Sequence, residues 1–181
     1  MSGADPTSFP RAGSSREASK DELRYRRATA KDARAIRTLI FRVGINPRGL
    51  DWRRFLLAVN AQDRVIGCGQ VKPHPDGSRE LASIAVREKM RRRGVASELI
   101  RKLMGENDPP LWLMCRSGLV RFYERFGFVT VEDPSLMPRY FQRIRRLILI
   151  AERLIPQEGR LAVMVWKTNR PGFSQKPGLS I

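Results

Sequence analysis

Cysteine and histidine are both scarce in this sequence of 181 residues. The two cysteines, Cys68 and Cys115, are far apart and lack a CxxC spacing, which argues against a disulfide scaffold or a zinc site and fits a reducing compartment. The one histidine, His74, stands between two prolines, so we expect it in a surface loop. No residue pattern is typical of a metal site, and we expect no metal.

Long hydrophobic runs are lacking too. No apolar run approaches the length needed to span a bilayer. The first 22 residues hold Asp5, Glu17, Asp21 and Glu22 and no apolar core, so they do not resemble a secretory signal, and the same acids disfavour a transit peptide. We therefore expect a cytoplasmic protein without a membrane span.

Negative charge is sparse beside positive charge. The sequence has 35 Lys and Arg residues against 18 Asp and Glu residues, a formal net charge of +17. A field of this sign attracts polyanions: nucleic acid, acidic lipid, or a phosphorylated cofactor or substrate. Composition does not choose among these partners. With 41% hydrophobic residues, the chain has material for one domain with a full core, and it is too short for two comfortable ones.

Composition also divides the chain into three parts. Residues 1–22 are rich in Ser, Gly, Pro and charged residues, and we expect them to form a disordered arm. Residues 169–181, with two Pro-Gly pairs, are expected to form a loose tail. Residues 23–168 between them are predicted to form one domain without internal repeats.

Periodicity within this domain predicts short strands and amphipathic helices. The predicted strands are Arg24–Arg27, Phe55–Val59, Val65–Lys72, Leu81–Val86, Leu111–Cys115, Phe128–Val131 and Leu161–Trp166. Helices are predicted after the capping-box-like pair Thr29 and Asp32, from Val95 to Gly105, over Leu119–Phe126 and over Met137–Leu154. Hairpins come first and βαβα units later. We therefore predict an α/β (α+β mixed) domain whose mixed, mostly antiparallel sheet of six or seven strands carries helices on both faces.

The segment most informative about chemistry runs from a strand through a basic loop and a glycine into a helix. Leu81–Val86 is followed by the basic stretch Arg87–Arg93 and then by Gly94. A glycine at a helix start lets the backbone approach a ligand closely, and the free N–H groups of the first turn attract an anion. The arrangement suits a pyrophosphate, although it is neither a Walker loop nor a GxGxxG motif.

These residues resemble the GNAT superfamily of N-acetyltransferases. Arg91-Arg-Arg-Gly94-Val-Ala96, directly after a central strand, matches the family's acetyl-CoA motif Gln/Arg-x-x-Gly-x-Gly/Ala. Further along, Leu119-Val-Arg-Phe-Tyr123-Glu-Arg-Phe-Gly-Phe128 resembles the family's FYxxxGF helix. The resemblance extends over roughly residues 23–167. It implies a GNAT-like domain that uses acetyl-CoA as cosubstrate.

The resemblance also implies where the coenzyme and the catalytic groups lie. Pantetheine is expected between the splayed strands Leu81–Val86 and Leu111–Cys115. The implied cofactor-binding residues are Ile84, Ala85, Val86, Arg91, Arg92, Arg93, Gly94, Val95, Ala96 and Ser97. Transfer is expected to be direct, with a backbone N–H near Val86 at the oxyanion and Tyr123 protonating the leaving thiolate. Glu80 is the expected base, acting directly or through water.

Several of these residues have a structural interpretation as well. Tyr123 lies on an apolar helical face and could be a core tyrosine, and Glu80 could be a plain strand-end carboxylate. Cys115 could take part in an acyl-cysteine mechanism, but its apolar neighbours favour a small buried residue. Arg116-Ser117-Gly118 stands where many family members carry Asn, so Arg116 could meet a cofactor phosphate or a substrate carboxylate instead.

Three functions remain open at this point. The chain could acetylate the primary amine of a small molecule such as an amino acid, since the arginine excess favours anionic acceptors and repels polyamines. It could acetylate protein N-termini or lysines. The third possibility is a non-catalytic acetyl-CoA sensor or an RNA-binding module, although the interleaved aromatic and basic residues of RNA readers are lacking, so nucleic acid is not an expected partner.

The predicted helix Met137–Leu154 carries many arginines, a pattern that is also typical of a membrane-surface helix. We favour a helix that packs on the core and whose N-terminal part borders the acceptor site. The chain is expected to be a monomer or a homodimer.

Overall fold

The computed structural model describes residues 23–45, 47, 49–154 and 160–167, with the side chains of all of these except 149–154. They form a seven-stranded sheet with helices on both faces. The predicted fold class is confirmed. The predicted arm, residues 1–22, and the predicted tail, residues 169–181, lie outside the described residues.

The elements follow the predicted order. The strands are β1 (Arg24–Arg27), β2 (Phe55–Val59), β3 (Val65–Pro73), β4 (Arg79–Val86), β5 (Leu111–Arg116), β6 (Val129–Thr130) and β7 (Leu161–Trp166). The α-helices are α1 (Ala33–Arg42), α2 (Val95–Gly105), α3 (Val120–Glu124) and α4 (Arg139–Leu154). The order in the sheet is β1-β2-β3-β4-β5-β7-β6. Neighbours are antiparallel except β4 and β5, which are parallel.

Three elements are shorter than the sequence indicated. α3 begins at Val120, after a 3₁₀ turn, Ser117–Leu119, that contains its predicted first residue, and it ends at Glu124, before Gly127 with its φ of 87°. α4 begins at Arg139 because Met137 precedes a proline and is extended, with φ −92° and ψ 147°. β6 has two paired residues because it lies at the sheet edge against β7 alone.

Hydrogen bonds at the start of α1 confirm the predicted capping pair. The backbone N and the Oγ1 of Thr29 donate to Asp32 Oδ2 at 2.7 and 2.9 Å. Arg26 of β1 donates to both carboxylate oxygens of Asp32 at 2.8 and 3.0 Å. The first strand and the first helix are thereby joined through one carboxylate.

Apolar side chains cover both faces of the sheet. On the α2/α3 face, Leu99, Leu103 and Tyr123 belong to one cluster over the central strands. On the α1/α4 face, α1 packs around Phe55, and α4 packs through Phe141 on Trp112 of β5. The two clusters of this second face are separate. The buried polar side chains of β3, β4 and their turn lie between them: Gln70, His74 and Glu80.

Candidate active site

β4 and β5 are joined at the start and then separate. Among the described residues, Glu80 and Trp112 are the pair that joins them. The other edge of β4 stays paired with β3, through Ala85 with Cys68 and Val86 with Gly67. The backbone from Ile84 to Val86 therefore faces a gap between two parallel strands, at the place where the sequence resemblance implied a splay.

A β-bulge in β4 accounts for this separation. The register with β3 shifts so that Ser83 and Ile84 together stand opposite Gly69. Ser83 has a φ of 58°, a region that side-chain-bearing residues rarely adopt. A Cβ added to Gly69 would lie 2.5 Å from Cδ1 of Ile84, so the glycine makes room for the bulged strand. Bulges bend a strand and increase its twist, which turns β4 away from its parallel neighbour.

The N-terminus of α2 lies at the end of β4. A Cβ added to Gly67, the partner of Val86, would lie 3.1 Å from Cγ1 of Val95 in the first turn of α2. Gly94 is the exposed N-cap, with a φ of 78°. The backbone N of Glu98 donates to Gly94 O at 3.0 Å. The preceding N–H groups, those of Val95, Ala96 and Ser97, have no carbonyl of their own helix to bind.

The surroundings of this helix start fit a phosphate-bearing group. A Cβ added to Gly94 would meet no atom within 4 Å, so the approach to the first turn is open. Arg91, Arg92 and Arg93 are exposed beside it. N–H donors, the positive end of a helix and guanidinium groups complement a pyrophosphate. The structure thus brings the predicted cofactor-binding residues together at one end of the gap.

Tyr123 lies on the α2/α3 face and is buried, with 9% of its surface exposed. Phe122 and Phe128 meet its ring edge-on, with centroids 5.1 and 6.1 Å away. Burial, and secondarily the thiol of Cys115, raise the pKa of the hydroxyl far above its ordinary value. No described residue forms a hydrogen bond with this hydroxyl. At neutral pH it is a protonated donor beside β5.

Glu80 lies on the other face and pairs with His74. Glu80 Oε2 and His74 Nε2 are 2.9 Å apart, and the two side chains are only 10% and 3% exposed. The expectation that His74 lies in a surface loop is therefore wrong. Tyr140 of α4 stacks on the imidazole, with ring centroids 3.4 Å apart and planes 15° apart, and this contact between distant segments covers the His74 side chain.

A second buried polar pair, Gln70 and Ser83, was missed by the sequence analysis. Gln70 Nε2 donates to Ser83 Oγ at 3.0 Å across β3 and β4. Gln70 is 1% exposed, and its Oε1 has no hydrogen-bond partner among the described residues. The available sequence signal was one amide residue inside the otherwise apolar strand Val65–Val71.

Both thiols are buried, as the sequence predicted for Cys115. Burial raises the pKa of Cys115 to about 11 and that of Cys68 to about 12. A protonated thiol is a poor nucleophile, so neither residue suits an acyl-cysteine mechanism at neutral pH. Arg116, at the end of β5, is exposed.

No three or more His, Cys, Asp or Glu side chains in the described ranges form a group that could hold a metal ion. No helix in those ranges is both long and apolar enough to cross a membrane.

The fold and the site define an α/β domain in which two parallel strands part beside the N-terminus of a helix suited to bind phosphate. The chain is similar to the GNAT superfamily of acetyltransferases: residues 51–130 match the model of a family described as an acetyltransferase (GNAT) domain. No curated protein sequence matches the chain.

Solved structures share the fold at low sequence identity. Rv2747 from Mycobacterium tuberculosis, in a complex with CoA, is 18% identical over 80% of this chain and 99% of its own, with a TM-score of 0.62. N-acetylglutamate synthase from Neisseria gonorrhoeae, complexed with coenzyme A and L-arginine, is 16% identical over 82% of this chain, with a TM-score of 0.64, and the match spans only 34% of that enzyme. Ard1 from Thermoplasma volcanium is 16% identical over 82% of this chain and 99% of its own, with a TM-score of 0.57.

Proposed function

We propose that this protein is an acetyl-CoA-dependent N-acetyltransferase that moves the acetyl group directly onto the primary amine of a small molecule, such as an amino acid. The observation that carries the proposal is the open first turn of α2, preceded by the exposed Arg91, Arg92 and Arg93, at the end of the gap between β4 and β5. Similar folds bound to coenzyme A support it. We place the protein in the cytoplasm, as a monomer or homodimer.

Residues of the gap and of the helix start would hold the coenzyme. The pantetheine chain would pair with the free backbone edge of Ile84, Ala85 and Val86. The diphosphate would accept hydrogen bonds from the first-turn N–H groups of Val95, Ala96 and Ser97, with the arginines as counter-charges. Acetyl-CoA supplies the acetyl group as a thioester, an activated acyl donor, so the protein needs no nucleophile of its own.

The remaining chemistry is proton transfer by side chains on opposite faces of the sheet. An amine attacks only with a free lone pair, so its ammonium form must first lose a proton, and the Glu80 carboxylate is the buried acceptor on the α1/α4 face. His74 holds that carboxylate in place through Oε2. On the α2/α3 face, the Tyr123 hydroxyl donates a proton at the position of the departing sulfur. A backbone N–H near Val86 stabilises the developing oxyanion.

Charge favours an anionic acceptor. The helices of the α1/α4 face present Arg34, Arg37, Arg139, Arg143 and Arg146, which are exposed and have no carboxylate partner among the described residues. An amine that also carries a carboxylate would be attracted to this face. The same arginines favour an acidic polypeptide, so protein acetylation is the second candidate.

A panel of amines tests the function. We expect release of free thiol from acetyl-CoA and a product heavier by one acetyl group, identified by mass spectrometry, with one or a few amino acids. The panel includes acidic peptides with free N-termini and, as a negative control, polyamines. Calorimetry with coenzyme A is done in parallel. Binding without acetylation of any amine would indicate a sensor, and failure to bind coenzyme A would reject the proposal.

A further inference from the structure

The hydrogen bond between Gln70 and Ser83 combines two unfavourable features. Gln70 is almost fully buried, yet its Oε1 has no partner among the described residues. Leaving a buried polar atom without a hydrogen bond costs about 1–3 kcal/mol. Ser83, at the other end of the bond, has a φ of 58°, and the left-handed region costs an ordinary residue about 1–2 kcal/mol. Glycine would remove this strain, so a strained serine points to a use for its side chain.

The register of the sheet places this pair near Glu80. Gln70 is opposite Ala82, and Lys72 is opposite Glu80, so Gln70 and Glu80 are diagonal neighbours whose side chains share a face. That face is the α1/α4 face, between its two apolar clusters. Ala82 and Ser83 are partly exposed there, so a ligand can reach the bulge from this side.

The groups at this place are oxygen acceptors. Glu80 Oε2 is occupied by His74, which leaves Oε1. Gln70 contributes Oε1, and Ser83 Oγ keeps one lone pair after accepting the bond from Gln70. Lys72 forms no ion pair with Glu80 among the described residues, and its Nζ lies 2.9 Å from the position of a Cβ added to Gly49, in the loop after α1. A ligand that matches several acceptors and no cation is one with several N–H donors.

We propose that Gln70 and Ser83 form the subsite that recognises the primary ammonium group of the acceptor beside Glu80. This inference rests on the proposed acetyltransferase function. The ammonium donates one N–H to Ser83 Oγ and one to Gln70 Oε1. The third N–H points at the Glu80 carboxylate. That proton moves from nitrogen to the Glu80 carboxylate, and the neutral amine then turns about its C–N bond so that the lone pair left on nitrogen faces the thioester carbonyl.

Ser83→Gly removes the side chain that is proposed to contact the amine and leaves the fold of the bulge unchanged. Glycine accepts a φ of 58° without strain, so the variant keeps the bulge and unfolds at the same or a higher temperature. If Ser83 contacts the amine, the KM for the best amine of the panel rises about 10-fold while the KM for acetyl-CoA stays within about twofold. Gln70→Met, of similar volume, should act in the same direction. Thr130→Ala, which removes an exposed hydroxyl from β6, is the matched control and should change neither KM.

A binding measurement without coenzyme completes the test. Amide resonances of Ser83 and of the Gln70 side chain are followed by NMR during titration with n-propylammonium and with n-propyltrimethylammonium. We expect saturable shifts with the first ion, which has N–H groups, and none with the second. The shifts should disappear in Ser83→Gly.

The outcomes distinguish this proposal from the function itself. Absence of saturable shifts, equal shifts with both ions, or an unchanged amine KM in Ser83→Gly would each overturn the subsite, even if the enzyme acetylates amines. Selective shifts in a protein that acetylates no amine would reject the transferase function and leave an ammonium-binding site.

Discussion

At the scale of single residues, burial sets the protonation state of the groups around the gap. The pKa values of Tyr123, Cys115 and Cys68 are all raised, chiefly by desolvation. Near neutral pH these side chains are neutral hydrogen-bond donors rather than anions. To one of them, the hydroxyl of Tyr123, we assign the protonation of the leaving thiolate in the proposed reaction.

Replacing Tyr123 by phenylalanine tests this role. The ring stays packed between Phe122 and Phe128, so the melting temperature should change little. Loss of a general acid should lower kcat on the order of 100-fold with the affinity for acetyl-CoA nearly unchanged. Steady-state kinetics with the best amine measure both values. Tyr25→Phe, which removes a hydroxyl from β1, is the control, and a normal kcat in Tyr123→Phe would assign the residue to packing alone.

Residues within a local motif could be predicted from sequence, and residues buried by distant segments could not. Gly94 and Tyr123 stand in short motifs, and the resemblance of these motifs to the GNAT family implies their place beside the gap. His74 sits in a Pro-rich turn, and its burial depends on Tyr140, which follows much later in the chain. The contact of Gln70 with Ser83 depends on the pairing of β3 with β4 and on the bulge. The periodicity of residues along one strand does not reveal how that strand pairs with another.

At the scale of elements, the start of α2 joins backbone geometry to charge. Gly94 adopts a φ of 78°, which any other L-residue adopts at a cost of about 1–2 kcal/mol. The space beside it is open. A side chain added here would extend towards the position that we assign to the diphosphate.

Two variants of Gly94 separate the effect of backbone strain from the effect of a side chain that occupies the phosphate position. Gly94→Ala and Gly94→Glu carry the same strain, so both should lose about 1 kcal/mol in the free energy of unfolding. The carboxylate of Gly94→Glu also competes with the phosphate at the helix N-terminus, so coenzyme A should bind at least about 100-fold more weakly than to Gly94→Ala. Calorimetry measures the affinities and urea denaturation the stabilities. Equal affinities in the two variants would contradict the placement of the diphosphate.

The start of α4 is held by a turn from elsewhere in the chain. Asp76, in the turn between β3 and β4, accepts a hydrogen bond from the backbone N of Tyr140 at 2.7 Å. Its pKa is lowered to about 2, mainly by the hydroxyl of Ser78, with a contribution from the Tyr140 N–H. The carboxylate thus caps a helix start that offers no side chain of its own.

Removing this cap should loosen α4 more than the coenzyme site. Asp76→Ala is expected to lower the free energy of unfolding by about 1 kcal/mol. Because Tyr140 covers His74, the KM for the amine should rise while the KM for acetyl-CoA stays nearly constant. Thermal denaturation and steady-state kinetics provide the measurements, with Asp108→Ala, an exposed carboxylate, as control. A rise in both KM values to the same extent would count against a specific link between α4 and the acceptor.

At the scale of the whole molecule, a carboxylate that holds the fold also offsets part of the positive charge. Asp32 joins β1 to α1 through Arg26 and Thr29, while the formal net charge of the chain is +17. The Arg26 guanidinium, followed by hydrogen bonds from Thr29, lowers the pKa of Asp32 from 3.8 to about 2. Protonation of Asp32 in acid removes both its ion pair with Arg26 and a negative charge that offsets the arginines.

The lowered pKa gives stability a defined dependence on pH. Because the folded value lies below the unfolded one, the contribution of Asp32 is complete above about pH 4 and is lost as the pH falls towards 2. The loss should amount to about 2 kcal/mol. Urea denaturation at several pH values should show a shallower decline in Asp32→Asn than in the unaltered chain. Parallel curves for the two proteins would contradict this assignment.

Most of the fold could be predicted from sequence, but its order in space could not. Strand bounds at Arg24–Arg27, Phe55–Val59 and Leu161–Trp166 agree with periodicity because both faces of the sheet are covered by apolar clusters. No sequence pattern predicts that β7 lies between β5 and β6, because its position depends on which strand edges are still unpaired when the other strands have formed. The shared face of Glu80, Gln70 and Ser83 follows from the register of β3 with β4 and from the bulge.

The position of β7 also has a consequence for biosynthesis. β7 supplies the only strand partner of β6 and covers the outer edge of β5 among the described residues. On a translating ribosome, the nascent chain therefore carries an unpaired edge at β5 until residues 161–166 leave the exit tunnel. Nascent chains stalled before that point should be more readily captured by chaperones than those that have emerged completely.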